Sequence, residues 1–421
     1  MDGFTLLRLF SGFFAAIITV TYLYQMLYLF LPALLKPGTL QAGPPGRYGV
    51  LIAARNEERV IAHLIRSLLA QNYPPELLRI YVVADNCTDG TAAVARTAGA
   101  TVYTRQDADH TGKGYALNWL IHQISREPEG LNAFDAFLIF DADNLLAPDF
   151  IARIDRLRHS GYEAFCGCRN SKNFGDNWLS AAHSLQFLHE SAHLNRSRML
   201  LGSCCTVSGT GFGFTRQLLL RMGGWNCFTL SEDTEFTVRC MTQGIRIGYC
   251  HDAVFYDEQP TRFRQSWRQR TRWSQGTVQV SFRYLGQLLR GVFRGGITGY
   301  ACFEMLTLSF WGYGAAGFSA LLSLLVTFWE LRWLGLAQAF LSALVSTWLS
   351  LFFIGLLTLL AEGSRIHATK GQKRMALFAF PIYMLSFVPI ILTSLFRKFH
   401  WPPIEHSAAV PQLPPHFPEN Q

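Results

Sequence analysis

Three short stretches carry side chains of the types that group-transfer chemistry uses. Asp141-Ala142-Asp143-Asn144 ends an apolar run. Two carboxylates one residue apart on the turn leaving a strand can share a hard divalent cation, Mg or Mn, that also bridges substrate phosphates. Ser231-Glu232-Asp233 follows a Gly-Gly-Trp turn and precedes a helical stretch from Thr234. A carboxylate there acts as general base if it lies within hydrogen-bond reach of a hydroxyl. Gln269-Arg270-Thr271-Arg272-Trp273 closes a run with Arg at 262, 264, 268, 270 and 272 and Trp at 267 and 273. Guanidinium forks match a pyrophosphate leaving group, and an indole offers a stacking face for a pyranose.

Each stretch has a plainer reading. Asp141 and Asp143 suit a turn ahead of Pro148, Ser231 is a natural N-cap with Asp233 in the first helical turn, and the arginine run fits a basic amphipathic helix lying on lipid headgroups. His189-Glu190-Ser191-Ala192-His193 competes with all three. It matches H-E-x-x-H, the helical zinc pattern of a metalloprotease. No third ligand stands at a motif-defined spacing, since Leu194 to Leu201 holds no further His, Asp or Glu.

The elements that must position these residues alternate in type. Tyr48 to Ala54 is a continuous apolar run of strand length, Arg59 to Gln71 has helical spacing, and Leu78 to Ala84 is a second strand. Thr91 to Ala98 is a helix stopped by Gly99, Thr101 to Thr104 a short strand, Gly114 to about Ile124 a helix, and Ala136 to Phe140 a fourth strand. This alternation predicts an α/β domain with a doubly wound, mostly parallel sheet. Ligands of such sheets bind beyond the carboxyl ends of the strands, where Arg55-Asn56-Glu57, Asp85-Asn86, Arg105 and Asp141-Ala142-Asp143 stand.

Half of the residues are hydrophobic and 14% aromatic, more than a soluble domain of ordinary composition carries. Residues 4–35 form an apolar stretch long enough for a bilayer, read as a retained helix and not a cleaved signal. Further stretches follow at about 302–328, 335–361 and 376–396, the last carrying Pro381 and Pro389 as a candidate break. The expected organisation is a membrane helix over 1–36, a soluble domain over 37–260, amphipathic interfacial helices over 261–296, about three membrane helices over 297–400 and a Pro-rich tail over 401–421. The basic loop from Ser364 to Arg374 and the arginines up to Arg294 put the domain on the cytoplasmic side of the cell membrane, with the side of the tail open.

The net charge of +8 fits anionic lipid and a diphosphate substrate. Outside 262–273 no basic stripe interleaved with aromatics occurs, which argues against a nucleic-acid partner. The nine cysteines lack zinc-finger spacing at Cys166/Cys168 and Cys204/Cys205, and reduced thiols are the simpler reading.

Over about residues 46–280 the chain resembles the membrane-integrated family-2 glycosyltransferases, the group of cellulose, chitin, hyaluronan and poly-N-acetylglucosamine synthases. The resemblance implies a GT-A fold and inverting single-displacement transfer from a nucleotide-activated sugar, usually a UDP-sugar, to a glycan or lipid-linked acceptor. It places Asn56, Glu57 and Asp85 at the nucleoside, Lys113 at uracil or phosphate, and Asp143 with Asp141 at the divalent cation and diphosphate. It further makes Asp233, with Glu232, the catalytic base. Gln269, Arg270, Arg272 and Trp273 hold the diphosphate and acceptor sugar, and Ser208 and Gly209 contribute to the acceptor pocket. The departure is Ala84-Asp85-Asn86-Cys87, where many relatives carry Asp-Asp-Gly-Ser. Growth of a β-linked glycan is the first expectation, a single transfer to a lipid or short glycan the second, and a non-catalytic scaffold the third. Pairing of two chains would supply further helices for a polymer channel.

Overall fold

The computed structural model describes residues 3–396. Its centre is one mixed sheet of eight strands: β1 Tyr48–Ala54, β2 Leu78–Asp85, β3 Thr101–Arg105, β4 Ala136–Asp141, β5 Leu145–Leu146, β6 Ala164–Ser171, β7 Phe212–Thr215 and β8 Ile247–Asp257, in the order β3-β2-β1-β4-β7-β6-β8-β5. Strands β1 to β4 are mutually parallel, as the alternation predicts. Beyond β4 the sheet departs from a doubly wound pattern: β7 runs antiparallel to both β4 and β6, while β6 and β8 are parallel.

Strand β1 shows why the run has no polar alternation. Leu51 points into one core with Ala116, Leu117 and Leu120 of the Lys113–Ser125 helix, whereas Val50 and Ile52 enter the other with Ile61, Leu64 and Leu68 of the Ile61–Leu69 helix. A central parallel strand covered on both faces needs apolar residues on both.

Three helical runs are long and apolar enough to cross a membrane among the described residues: Gly3–Leu34, Phe310–Arg365 and Lys370–Phe396. The Phe310–Glu362 helix has 53 residues, roughly 80 Å at the usual helical rise, against a bilayer core of about 30 Å. It breaks at Arg332 (φ 57°, ψ −152°). Before the break it runs along the N-terminal helix, with Ser11 Oγ 3.4 Å from Ser323 Oγ and Arg8 3.2 Å from Glu330. After it the chain returns to the domain, where Glu362 pairs with His251 at 3.0 Å. The two stretches expected at 302–328 and 335–361 are thus one kinked run, and the start of the first belongs instead to the separate Gly296–Thr307 helix.

The last apolar stretch begins earlier than expected, at Lys370, because Thr369 and Gln372 form a reciprocal capping box. It is divided at Ser386 into Lys370–Leu385 and Phe387–Phe396. The central part of this run is 39% buried, against 6% and 11% for the other two, so it leans on the protein. Tyr383 and Ala379 pack against Leu179 and Ala182 of the Trp178–His189 helix. Arg397, Lys398 and the Pro-rich tail lie outside the described residues.

The N-terminal helix is tied through the Tyr28 hydroxyl to a buried charge pair between the domain and the Gly296–Thr307 helix. Arg198 Nε donates to Glu304 at 2.7 Å, Tyr28 donates to the same carboxylate at 3.2 Å, and Arg198 also donates to Asn195 at 2.9 Å. The Arg198 and Glu304 side chains are only 2% and 1% exposed. Removing one partner of such a pair strands the other's charge. Glu304→Gln is therefore expected to cost about 3 kcal/mol. Thermal unfolding of the detergent-solubilised chain reads this, and an unchanged midpoint would contradict the locking role.

Candidate active site

The polar ends of β1, β2, β4 and β6 border a cavity of about 1140 Å³, closed on the far side by the Phe263–Phe293 helix, hereafter the motif helix. Asn56, Glu57, Asp85, Lys113, Asp141, Asp143, Ser208, Gly209, Glu232, Asp233, Gln269, Arg272 and Trp273 all line it. Arg270 does not. It is fully buried, donates to Tyr383 O at 3.1 Å and Ser386 Oγ at 2.7 Å, and its guanidinium stands over the rings of Tyr383 and Phe387. Helical periodicity is the reason: residues three and four apart share a face, so Gln269, Arg272 and Trp273 point together, while Arg270 is about 200° away from Arg272. The diphosphate contact expected of Arg270 is therefore a contact to the break at Ser386.

At the ends of β1 and β2 two asparagines take left-handed backbone, Asn56 at φ 60° and Asn86 at φ 50°, a conformation Asn tolerates better than most residues. Asn86 follows directly on β2. Its side chain bridges Asp85 (3.1 Å) and the backbone of Asp107 (2.9 Å). Cys87 uses its thiol both ways, accepting from Asn56 N–H and donating to Ala54 O, each at 3.4 Å. Ala84 is buried in the core, and Asp85 is paired with Arg105 at 2.6 Å.

The plainer readings of the acidic motifs hold in part: residues 142–143 form a turn closed by Asn144 N–H to Asp141 O at 3.1 Å, and Asp233 lies in the first turn of its helix. Asp141 and Asp143 cap no helix, since the short strand β5 follows them and Asp149 precedes the next helix. Lys113 Nζ is ion-paired with Asp141 and donates to Gly209 O at 2.6 Å. Asp143 is 8% exposed, accepts from Glu258 N–H at 3.2 Å, and its backbone carbonyl takes the Lys172 ammonium at 2.6 Å. Ser231 makes no side-chain cap; its hydroxyl turns to Trp273 O at 3.5 Å.

Glu232 and Asp233 open the Glu232–Thr242 helix side by side. Burial and then the neighbouring Asp233 charge push the Glu232 pKa up to about 7, against the pull of Lys113 and Arg272. Burial also raises Asp233, opposed by the Thr234 N–H at 2.7 Å and by Arg272. For Lys113, burial works toward a lower pKa, but Asp141 and Glu232 outweigh it and the ammonium is held above its ordinary range.

Residues that sequence reading overlooked hold this arrangement. Glu235 is fully buried and accepts from Phe228 N–H (2.8 Å), Thr229 N–H (2.9 Å) and Tyr284 OH (2.8 Å) of the motif helix. Its one signal was a third acid in the same helical turn. Arg169, at the end of β6, donates to Asp257 at 2.7 Å and to Ser208 O at 2.8 Å and lies 3.5 Å over the Phe187 ring. Trp273 rests against Phe187 and His183 at ring separations of 5.9 and 5.5 Å.

The H-E-x-x-H stretch is drawn elsewhere. The helix widens to a π-turn over Glu190–Asn195, and His189 Nδ1 lies 3.5 Å from Thr358 Oγ1 of the kinked apolar helix. Glu190 lines the cavity, accepting from Gln186 at 3.0 Å. Among the described residues no group of three or more His, Cys, Asp or Glu is gathered to hold a metal, so a zinc protease centre lacks its ligands. The nine cysteines are all unpaired and eight are buried.

The motif helix reaches the Glu232-Asp233 turn through a glycine. A Cβ at Gly276 would stand 2.1 Å from Ser231 Oγ and 2.6 Å from its backbone nitrogen. Gly276→Ala must push the two elements apart, and a displacement near 1 Å at a reacting group costs on the order of 100-fold in rate. Turnover of the purified variant, with its unfolding midpoint as control, tests this; wild-type turnover would refute the close contact.

The model of the family described as "Glycosyltransferase like family 2" matches residues 44–276. The probable glycosyltransferase YdaM of Bacillus subtilis is 28% identical over 254 residues, 58% of this chain and 58% of that protein. The beta-monoglucosyldiacylglycerol synthase of Synechocystis is 27% identical over 259 residues, 60% of this chain and 51% of that protein. The chain thus matches little more than half the length of these relatives. Among solved structures, the mannosyltransferase PcManGT from Pyrobaculum calidifontis, in complex with GDP-Man and Mn2+, superposes with a TM-score of 0.59 at 18% identity, covering 92% of this chain and 99% of that one.

Proposed function

Because the chain belongs to glycosyltransferase like family 2, we propose that it moves one sugar from a UDP-sugar to a hydroxyl of a membrane-borne acceptor. It is a glycosyltransferase with a GT-A domain and candidate membrane helices. The observation that carries the finer reading is that Asp143, Asp233 and Trp273, far apart in the chain, line one cavity.

In this reading the acceptor oxygen bonds to the anomeric carbon from the face opposite the departing UDP, and its proton passes to Asp233, with configuration inverted. Glu232 beside it keeps the local charge high enough to favour proton uptake, and Lys113 and Arg272 keep the pair from both becoming neutral. Arg272 faces the leaving diphosphate, Trp273 offers its face to the acceptor sugar or headgroup, and Asn56, Glu57 and Asp85 surround the nucleoside. Positioning and charge supply most of the acceleration.

The residues suit a Mg or Mn ion. Asp143 and Asp141 give a hard carboxylate pair, and among the described residues no third protein ligand is gathered beside them, which would leave the ion open to substrate phosphate. Bound there, the ion would neutralise charge on the diphosphate.

The terminal helices favour a lipid acceptor. Lys370–Leu385 and Phe387–Phe396 lie against the domain and the motif helix, Gln275 donating to Ser394 O at 3.2 Å, and so bring apolar surface beside the cavity. The synthase of Synechocystis carries a glycolipid in its name, in keeping with this. Extension of a β-linked glycan is the second reading, favoured by the Gln-x-x-Arg-Trp pattern. A cytoplasmic position at the cell membrane follows from the basic loop, which sits on the domain through Arg365 to Asp252 at 2.8 Å and to His251 O at 2.9 Å.

Purified full-length chain in diacylglycerol-containing vesicles, given a panel of radiolabelled UDP-sugars, is expected to yield a one-sugar lipid product that EDTA abolishes and Mn or Mg restores. A long polysaccharide would establish the second reading, and no product from any donor would end both. Asp233→Asn keeps the shape and removes the base, so turnover should fall roughly 100-fold or more; near-normal turnover would displace Asp233 from its role.

A further inference from the structure

Arg272 meets the guanidinium need of one diphosphate from inside the cavity, yet three more arginines, Arg262, Arg264 and Arg268, stand at the same cavity's mouth. All three are exposed, and among the described residues none has an ion-pair partner. Arg262 is the residue from which the motif helix starts, and Arg264 and Arg268 lie one turn apart along it.

Phe263, between them, stacks on Trp178 at 6.5 Å and tilts against Trp267 at 5.8 Å. Phe263 and Trp178 stay 44% and 39% exposed. The buried Arg270 guanidinium lies 5.9 Å from the Phe263 ring and 4.8 Å from the Phe387 ring, which begins the apolar helix Phe387–Phe396. That helix exposes Val388, Leu392 and Phe396. Positive charge without counter-charge, exposed aromatic rings and exposed aliphatic side chains therefore adjoin one another along one edge.

We propose that this edge is a binding site for an anionic phospholipid, its phosphate among Arg262, Arg264 and Arg268 and its acyl chains along Phe387–Phe396. Each chemical zone of the lipid meets its complement: guanidinium groups a phosphate, aromatic rings the headgroup boundary, and an apolar helix face the hydrocarbon. A soluble phosphate would use only the first zone and leave the aliphatic face uncovered. The lipid would hold the cavity mouth at the bilayer surface, whatever sugar is transferred.

The test uses full-length chain, stripped of lipid in mild detergent and reloaded from mixed micelles of phosphatidylglycerol and phosphatidylcholine, with retained lipid counted by native mass spectrometry. Wild type is expected to retain phosphatidylglycerol selectively, and the Arg262→Gln/Arg264→Gln/Arg268→Gln variant to lose that retention by about fivefold per arginine removed. Arg290→Gln, which changes an exposed arginine near the far end of the same helix, is expected to retain it. Equal retention of both lipids by wild type, unchanged retention by the triple variant, or an equal loss in Arg290→Gln would overturn the site. Displacement by millimolar inorganic phosphate would reassign it to a soluble anion. None of these readouts requires catalytic turnover, so a failure of the proposed sugar transfer is seen separately.

Discussion

The candidate site depends on taking two adjacent carboxylates out of water. Glu232 and Asp233 repel one another, and burial penalises both as anions. The surrounding protein offsets this with Lys113, Arg272 and the Thr234 backbone amide. Such a balance survives only if the turn cannot drift, and Glu235 supplies that rigidity from behind. One fully buried carboxylate takes two loop amides and a tyrosine hydroxyl of the motif helix, tying the Glu232-Asp233 turn to that helix.

The same economy of contact explains the motif helix. It delivers Gln269, Arg272 and Trp273 to the cavity on one face and spends the opposite face on the terminal helices, where Arg270 seats the break at Ser386. Arginines two positions apart in one motif thus face different surroundings, one the cavity and one a helix end. Catalytic geometry and the packing of the apolar C-terminal segment are consequently parts of a single structure. At the other end, Arg198, Glu304 and Tyr28 join the N-terminal helix to the domain through a buried charge pair.

The loop after β2 is held by hydrogen bonds that its backbone conformation makes possible. Asn86 accepts a left-handed conformation and adds side-chain hydrogen bonds to Asp85 and the Asp107 backbone. Cys87 keeps a donor and an acceptor. Asp85, held by Arg105, remains the one acid of that loop at the cavity.

By itself the sequence determined the parallel half of the sheet, because a strand buried on both faces must be apolar throughout, and it determined which strand ends carry acids and bases. Local spacing also contained, unused, the separation of Arg270 from Arg272. Only tertiary structure decided the rest. The antiparallel β7 is four residues long and too short for a periodic signal, and Arg169 and Glu235 gain their roles from partners distant in the chain. The H-E-x-x-H pattern is correct as letters, yet a π-turn and a neighbouring apolar helix give its residues other partners. Spacing along a chain describes which side chains can share a face; whether a ligand stands opposite that face depends on contacts that no local pattern encodes.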